Sequence, residues 1–224
     1  MAGSRVDRVT VIADALSRFG QPLGLDLESD NPRAERLKNI YTGTLALAFG
    51  MHQWEFLKKT FSCSVVSKAT DAIAESDAWL NGYGFAHQLP GDLKKNPEVI
   101  FDGSGHIVRD FSIEGRRVYS NCEVIKVTGL ATLDPEYWPD DWREAFVTWL
   151  AGRFSVPELM DVNLEDKFLT EALGTPRERP SGGMFGRLMA QDLAANPPDS
   201  PFLKGDPLSD AHNGIFGNRG RIIW

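Results

Sequence analysis

Asp102, His106 and Asp110 recur at intervals of four residues, and oxygen and imidazole donors so spaced could converge on one metal ion. They also flank Asp102-Gly103-Ser104-Gly105, where Asp favours a turn for conformational reasons, so a turn accounts for them without a metal. The histidines are His52, His87, His106 and His212; no two stand at helix-face spacing and none belongs to a His-Glu-x-x-His motif. Ser181-Gly182-Gly183-Met184-Phe185-Gly186-Arg187 is glycine-rich and leads into a helical pattern. It lacks the spacing and the Lys-Ser/Thr pair of a phosphate loop, so it reads as a flexible helix start. Ser104 is a turn serine, and the chain has no Gly-x-Ser-x-Gly elbow. Asp140-Asp141 and Glu165-Asp166 stand near helix starts, where they complement the helix dipole. Cys63 and Cys122 have no metal-knuckle or disulfide spacing and are expected as buried thiols in strands. The chemistry-bearing residues therefore predict no catalytic site, no cofactor site and no metal site.

Charge narrows the remaining classes. The chain has 24 basic and 31 acidic residues in 224, a formal charge of −7. A sequence-independent nucleic-acid binder needs a basic surface to neutralise phosphates. The basic pairs Lys58-Lys59, Lys94-Lys95 and Arg116-Arg117 are isolated and read as solvated faces. A hydrophobic content of 42% with 10% aromatics suits one well-cored domain. The opening Met-Ala-Gly-Ser-Arg lacks an apolar signal region, and no apolar run is long enough to span a bilayer. The expectation is a soluble protein made in a reducing compartment, with no membrane partner.

The elements follow from period and punctuation. Val9, Ile12, Leu16 and Phe19 mark a helix from about Arg5 to Phe19, ended by Gly20 and Pro22. Asn31 as N-cap and Pro32 at the first helical position open a second helix, closing near Gly50. Its stripe is Leu37, Ile40, Tyr41, Thr44, Leu45 and Ala48; Leu47 and Phe49 lie off it, which suggests cover on more than one side. Trp54 to Val66 reads as one strand, Ser67 to Asn81 as a short helix or loop, and Tyr83 to Leu89 as a strand stopped by Pro90. Hairpins are predicted over Asp102-Gly103-Ser104-Gly105 and over Glu114-Gly115, with a further strand at Cys122–Val127. Asp134-Pro135 begins a late helical block. One helix starts at Pro139, a second near Pro157 and ending at Gly174, and a third near Ser181, stopped by Asn196-Pro197-Pro198.

The resulting fold class is α+β. N- and C-terminal helices form one bundle, with an inserted small antiparallel β region and an extended C-terminal arm. Residues 1–195 would be one domain, with helices at 5–50 and 135–195 and a β-rich insertion at 54–130; residues 196–224 would be the arm. The end of that arm carries Ile215, Phe216, Arg219, Arg221, Ile222, Ile223 and Trp224. These apolar anchors lack a local partner, and Trp and Arg are residue types that dominate interfaces. The arm reads as a partner-binding segment that reaches a neighbouring subunit or another protein.

The order of these elements resembles the tail tubular protein A family of short-tailed phages, the head-to-tail adaptors. Phe19-Gly20-Gln21-Pro22 is similar to the family's turn after the first helix, and Trp54-Glu55-Phe56 to its Trp-x-Phe. His87-Gln88-Leu89-Pro90-Gly91-Asp92 matches its Tyr-x-Leu-Pro-x-Asp element with His in place of Tyr. Glu114-Gly115-Arg116 matches its hairpin, and Asp134-Pro135 to Arg153 its late helix. The resemblance runs from Arg5 to Ala195. It implies a ring, a dodecamer, seated under the portal protein and bound to neighbouring copies of itself. The ring would enclose the DNA ejection channel without sequence-specific binding and dock the downstream tail or nozzle protein. The expected location is the head–tail junction of the virion, with host cytoplasm during assembly. The competing reading is a virion-associated cell-wall hydrolase acting as the phage enters its host. No pair of acids that would face each other across a cleft can be named for it from the sequence.

Overall fold

The computed structural model describes residues 6–24, 26–68, 82–179 and 181–195. The arm at 196–224 and most of the Ser67–Asn81 segment lie outside the described residues. Among the described residues are five α-helices: α1 (Arg8–Ser17), α2 (Pro32–Gly50), α3 (Asp140–Leu159), α4 (Val162–Leu173) and α5 (Gly183–Ala195). Seven strands separate α2 from α3: β1 (Lys58–Ser62), β2 (Ser64–Lys68), β3 (Phe85–Gln88), β4 (Val99–Asp102), β5 (Phe111–Glu114), β6 (Arg117–Ser120) and β7 (Ile125–Leu130).

The helix starts are local chemistry. Asp7 accepts the amide of Thr10 at 2.8 Å, and Asn31 accepts that of Arg33 at 2.8 Å ahead of Pro32. Asp161 accepts the amide of Leu164 at 3.0 Å and opens α4. The expected helix start at Pro157 is wrong. Pro157 lies inside the last turn of α3, which closes at Met160 in the left-handed conformation (φ 57°). Proline so near a helix end removes a single ladder hydrogen bond, so the helix continues past it to the αL cap.

The β region forms two antiparallel sheets, a three-stranded one in the order β1-β7-β4 and a four-stranded one in the order β2-β3-β6-β5. The single strand expected from Trp54 to Val66 is therefore corrected. Trp54 precedes a short 3₁₀ turn, Glu55–Leu57, and the chain then changes sheet at Cys63. Apolar alternation runs through Phe61, Cys63 and Val65 and hides the break, because pairing with distant strands decides it. The hairpin turn at Asp102 is present: the Asp102 amide donates to the His106 carbonyl at 2.8 Å, and Phe101 bridges Ile107. Residues from both sheets share one small core of Leu89, Leu93, Ile100, Val118, Ile125 and Val127.

The expected single helical bundle is overturned: the fold is a mixed α+β arrangement with two sheets. The large core shows why. α3 is central and packs on α1, α2, α4 and α5, but the core around it also buries Trp54, Leu57, Leu130 and Trp138 from the margins of the β region. The helices do not close on one another alone. Trp142 stacks on Phe146 with ring centroids 5.5 Å apart and meets Trp138 edge-on at 4.9 Å and Phe56 at 5.4 Å. These rings tie sheet to helix. Where α3 meets α4, a Cβ on Gly152 would lie 3.2 Å from the Phe168 Cβ and 3.3 Å from the Glu165 carbonyl, so glycine permits the close approach.

Candidate functional site

The residues that could have done chemistry are occupied by local structure. The Asp102 carboxylate accepts the amides of Ser104 (2.8 Å) and His106 (2.9 Å). These donors, the His106 amide foremost, hold its carboxyl below the usual range. Asp110 accepts from the Tyr83 hydroxyl at 3.2 Å, and the described residues contain no cluster of three His, Cys, Asp or Glu able to hold a metal. Ser104 sits in the same turn, and Gly182 and Gly183 open α5. Asp140 pairs with Arg143 at 2.7 Å, Asp141 accepts the Trp142 amide at 2.8 Å, and Asp166 pairs with Arg179 at 3.5 Å.

Neither cysteine lies in a strand, contrary to expectation. Both are half-buried free thiols, Cys63 at the sheet change and Cys122 just after β6. Burial pushes the Cys63 thiol up to about 11, so it holds its proton at neutral pH. His87 is fully buried on β3. Its Nε2 donates to the Cys122 carbonyl at 2.9 Å, since that oxygen can only accept, and Nδ1 has no partner among the described residues. Burial lowers its pKa, and the Cys122 bond offsets this in part.

The basic pairs divide. Lys58 is held by Glu55 at 2.6 Å and Glu98 at 3.8 Å. Arg116 donates to the carbonyls of Pro90 and Leu93, and the Leu89 amide donates to the Arg116 carbonyl at 2.9 Å. These bonds join the Leu89–Asp92 turn to the Glu114–Arg116 turn at one end of the four-stranded sheet. Lys94 and Lys95 instead edge a crevice of about 390 Å³ between α2 and the three-stranded sheet. One wall is a helix face, Thr42, Leu45, Ala46 and Phe49; the other includes Leu57 and Leu130. Of the two residues expected off the main stripe, Phe49 is buried in the large core and lines this crevice, whereas Leu47 is exposed; the part played by Lys94 and Lys95 had no sequence signal. A second, shallower groove of about 230 Å³ runs past Phe56, Trp142 and Leu188 to Ala195, the last described residue. The indole N–H of Trp142 is buried there without a partner among the described residues.

Other apolar groups face outward. Met160 is 90% exposed and Val162 65%, at the turn between α3 and α4, and Leu47 projects from α2. No helix of the described residues is long and apolar enough to cross a membrane. The arm residues Ile215, Phe216, Arg219, Arg221, Ile222, Ile223 and Trp224 lie outside the described residues. No family model matches the chain, and no curated protein is significantly similar to it.

Proposed function

We propose that this chain is a structural head-to-tail connector of a tailed phage virion. It forms a ring below the portal, extends the DNA channel and docks the next tail component. The supporting observation is that the elements carrying the resemblance act as joints. Leu89-Pro90-Gly91-Asp92 is bonded to Glu114-Gly115-Arg116 through Arg116, and Trp54-Glu55-Phe56 and the turn after Asp134-Pro135 feed the aromatic cluster that links sheet to helix. Among the described residues, Asp102, Asp140, Asp141, Asp161 and Asp166 serve turns, caps and ion pairs, which suits a part whose work is geometric.

In this reading each subunit contributes a modest interface. A ring multiplies such contacts into one joint, because each further contact forms between groups already held together. Ring closure uses a heterologous contact, repeated by every copy. Residues Ile215, Phe216, Arg219, Arg221, Ile222, Ile223 and Trp224 anchor the arm on the portal or on the adjacent copy. Phage DNA passes the lumen without sequence-specific contacts, in keeping with a net charge of −7.

The test mixes purified portal rings of short-tailed phages with the full chain, and with a chain truncated before Asp206, and weighs the products by native mass spectrometry. The full chain should add a ring of copies to the portal and the truncated chain should not. A full chain that leaves every portal unchanged in mass would count against the connector.

A further inference from the structure

Two unused surfaces lie at opposite ends of α2. The crevice occupies its C-terminal end, from Thr42 to Gly50. The exposed Leu159, Met160 and Val162 lie near its N-terminal end, where Arg33 pairs with Glu158 at 2.7 Å and Arg36 donates to the Pro157 carbonyl at 3.3 Å. A helix of 19 residues rises about 28 Å, so the two surfaces are well separated.

Each surface fits the other in kind. Met160 occupies the left-handed position that closes a helix, where glycine carries no steric penalty, yet a long apolar side chain stands there exposed. The fold gains nothing visible from it, whereas an unbranched thioether adapts well to an irregular pocket. The crevice is apolar along both walls and, at about 390 Å³, far exceeds the ~30 Å³ share of a water molecule. Among the described residues, Lys94 and Lys95 are its only charged lining residues, and neither has an ion-pair partner there. Beside the exposed apolar group, Asp161 and Glu165 likewise have no cation partner among the described residues.

We infer that the crevice receives the Leu159–Val162 turn of a second copy of this chain, with Asp161 and Glu165 facing Lys94 and Lys95. The contact is heterologous. Repeated from copy to copy it generates a closed ring or an open helix, according to the rotation between neighbours. The inference deepens the ring reading and rests on copies of the chain meeting head to tail; it does not involve a portal.

The experiment places the photo-crosslinking residue p-benzoylphenylalanine at position 160 of the full chain. The protein is irradiated at its highest soluble concentration with no portal present, and the joined peptides are mapped. Position 160 is exposed, so the replacement leaves the core intact. Crosslinks between copies should map to 42–50, Leu57 or 130–132. Crosslinks only to other surfaces, only within one copy, or none at all, would overturn the contact. Reversing Lys94→Glu and Lys95→Glu together should lower the yield about tenfold, and adding Glu165→Lys, which spares the Asp161 cap, should restore much of it. A yield indifferent to both changes would equally overturn the proposed pairing. Portal binding without these crosslinks would leave the connector standing and remove this contact, whereas crosslinks without portal binding would do the reverse.

Discussion

The helical layer and the β region are stabilised differently. Around α3 the core is dense with large rings: Trp54, Trp138, Trp142, Phe146, Phe154 and Phe185 are buried together. Among the described residues, the core shared by the two sheets has six buried aliphatic side chains, with the Phe61 ring only partly buried against it and Tyr119 buried in a separate small cluster. Its strands are four to six residues long and depend on ladder hydrogen bonds and on turns such as Asp102–Gly105. Stability is unevenly distributed in such a molecule, and the region with the thinner core is expected to open first. A rigid helical layer can hold one neighbour in a fixed geometry, while a softer β region can adjust to another.

The most severe test of this contrast is Trp142→Ala. Removing a buried indole at the centre of the aromatic cluster should cost about 3–5 kcal/mol and unfold the whole chain in one denaturant transition. A loss below about 1 kcal/mol would mean that the aromatic cluster does not tie sheet to helix. Ile100→Ala sharpens the comparison from the other side, with an expected cost of about 2–4 kcal/mol. Hydrogen exchange should then show protection lost across both sheets and retained in α3; equal loss in both layers would erase the distinction between them. Asn31→Ala removes one cap and should cost about 1 kcal/mol, read as a small shift of the unfolding midpoint with unchanged cooperativity.

The gentlest probe is pH. His87 has its folded pKa lowered from 6.5 by burial, so the unfolded chain binds the extra proton first. The stability it contributes is full above about pH 6.5 and is lost as pH falls through the lowered folded value. Protonation would place a hydrogen on Nδ1, which has no acceptor among the described residues. Acidification should therefore loosen the four-stranded sheet before the helices, and His87→Gln should weaken that dependence in amide exchange measured from pH 7 to pH 5.

Much of the architecture was legible where one residue settles a local question. Asn31-Pro32 marked a helix start, Asp102-Gly103 a hairpin turn, and Pro139 the beginning of α3. The misreadings came where distant partners decide. The break at Cys63 depends on β1 pairing with β7 while β2 pairs with β3, which alternation cannot reveal. The supposed helix start at Pro157 competed with a better signal, Asp161 three residues before the Leu164 amide that it caps. The bundle failed as a description because Leu57 and Leu130, both within the bounds of the expected β-rich insertion, complete the helical core. Of the surfaces now offered as interfaces, the crevice beside α2 had only a partial trace, in Phe49 lying off the expected stripe. The exposure of Met160 had none, since a side chain left in solvent has no periodic signature.

The connector reading itself is tested most directly by imaging. Full-length protein mixed with portal rings can be examined by electron microscopy and averaged down the portal axis. A head-to-tail connector should add a second ring, coaxial with the portal, continuing its open channel, with copies in register around the axis. Portal rings that remain bare, or that carry the protein at scattered sites off the axis, would contradict it.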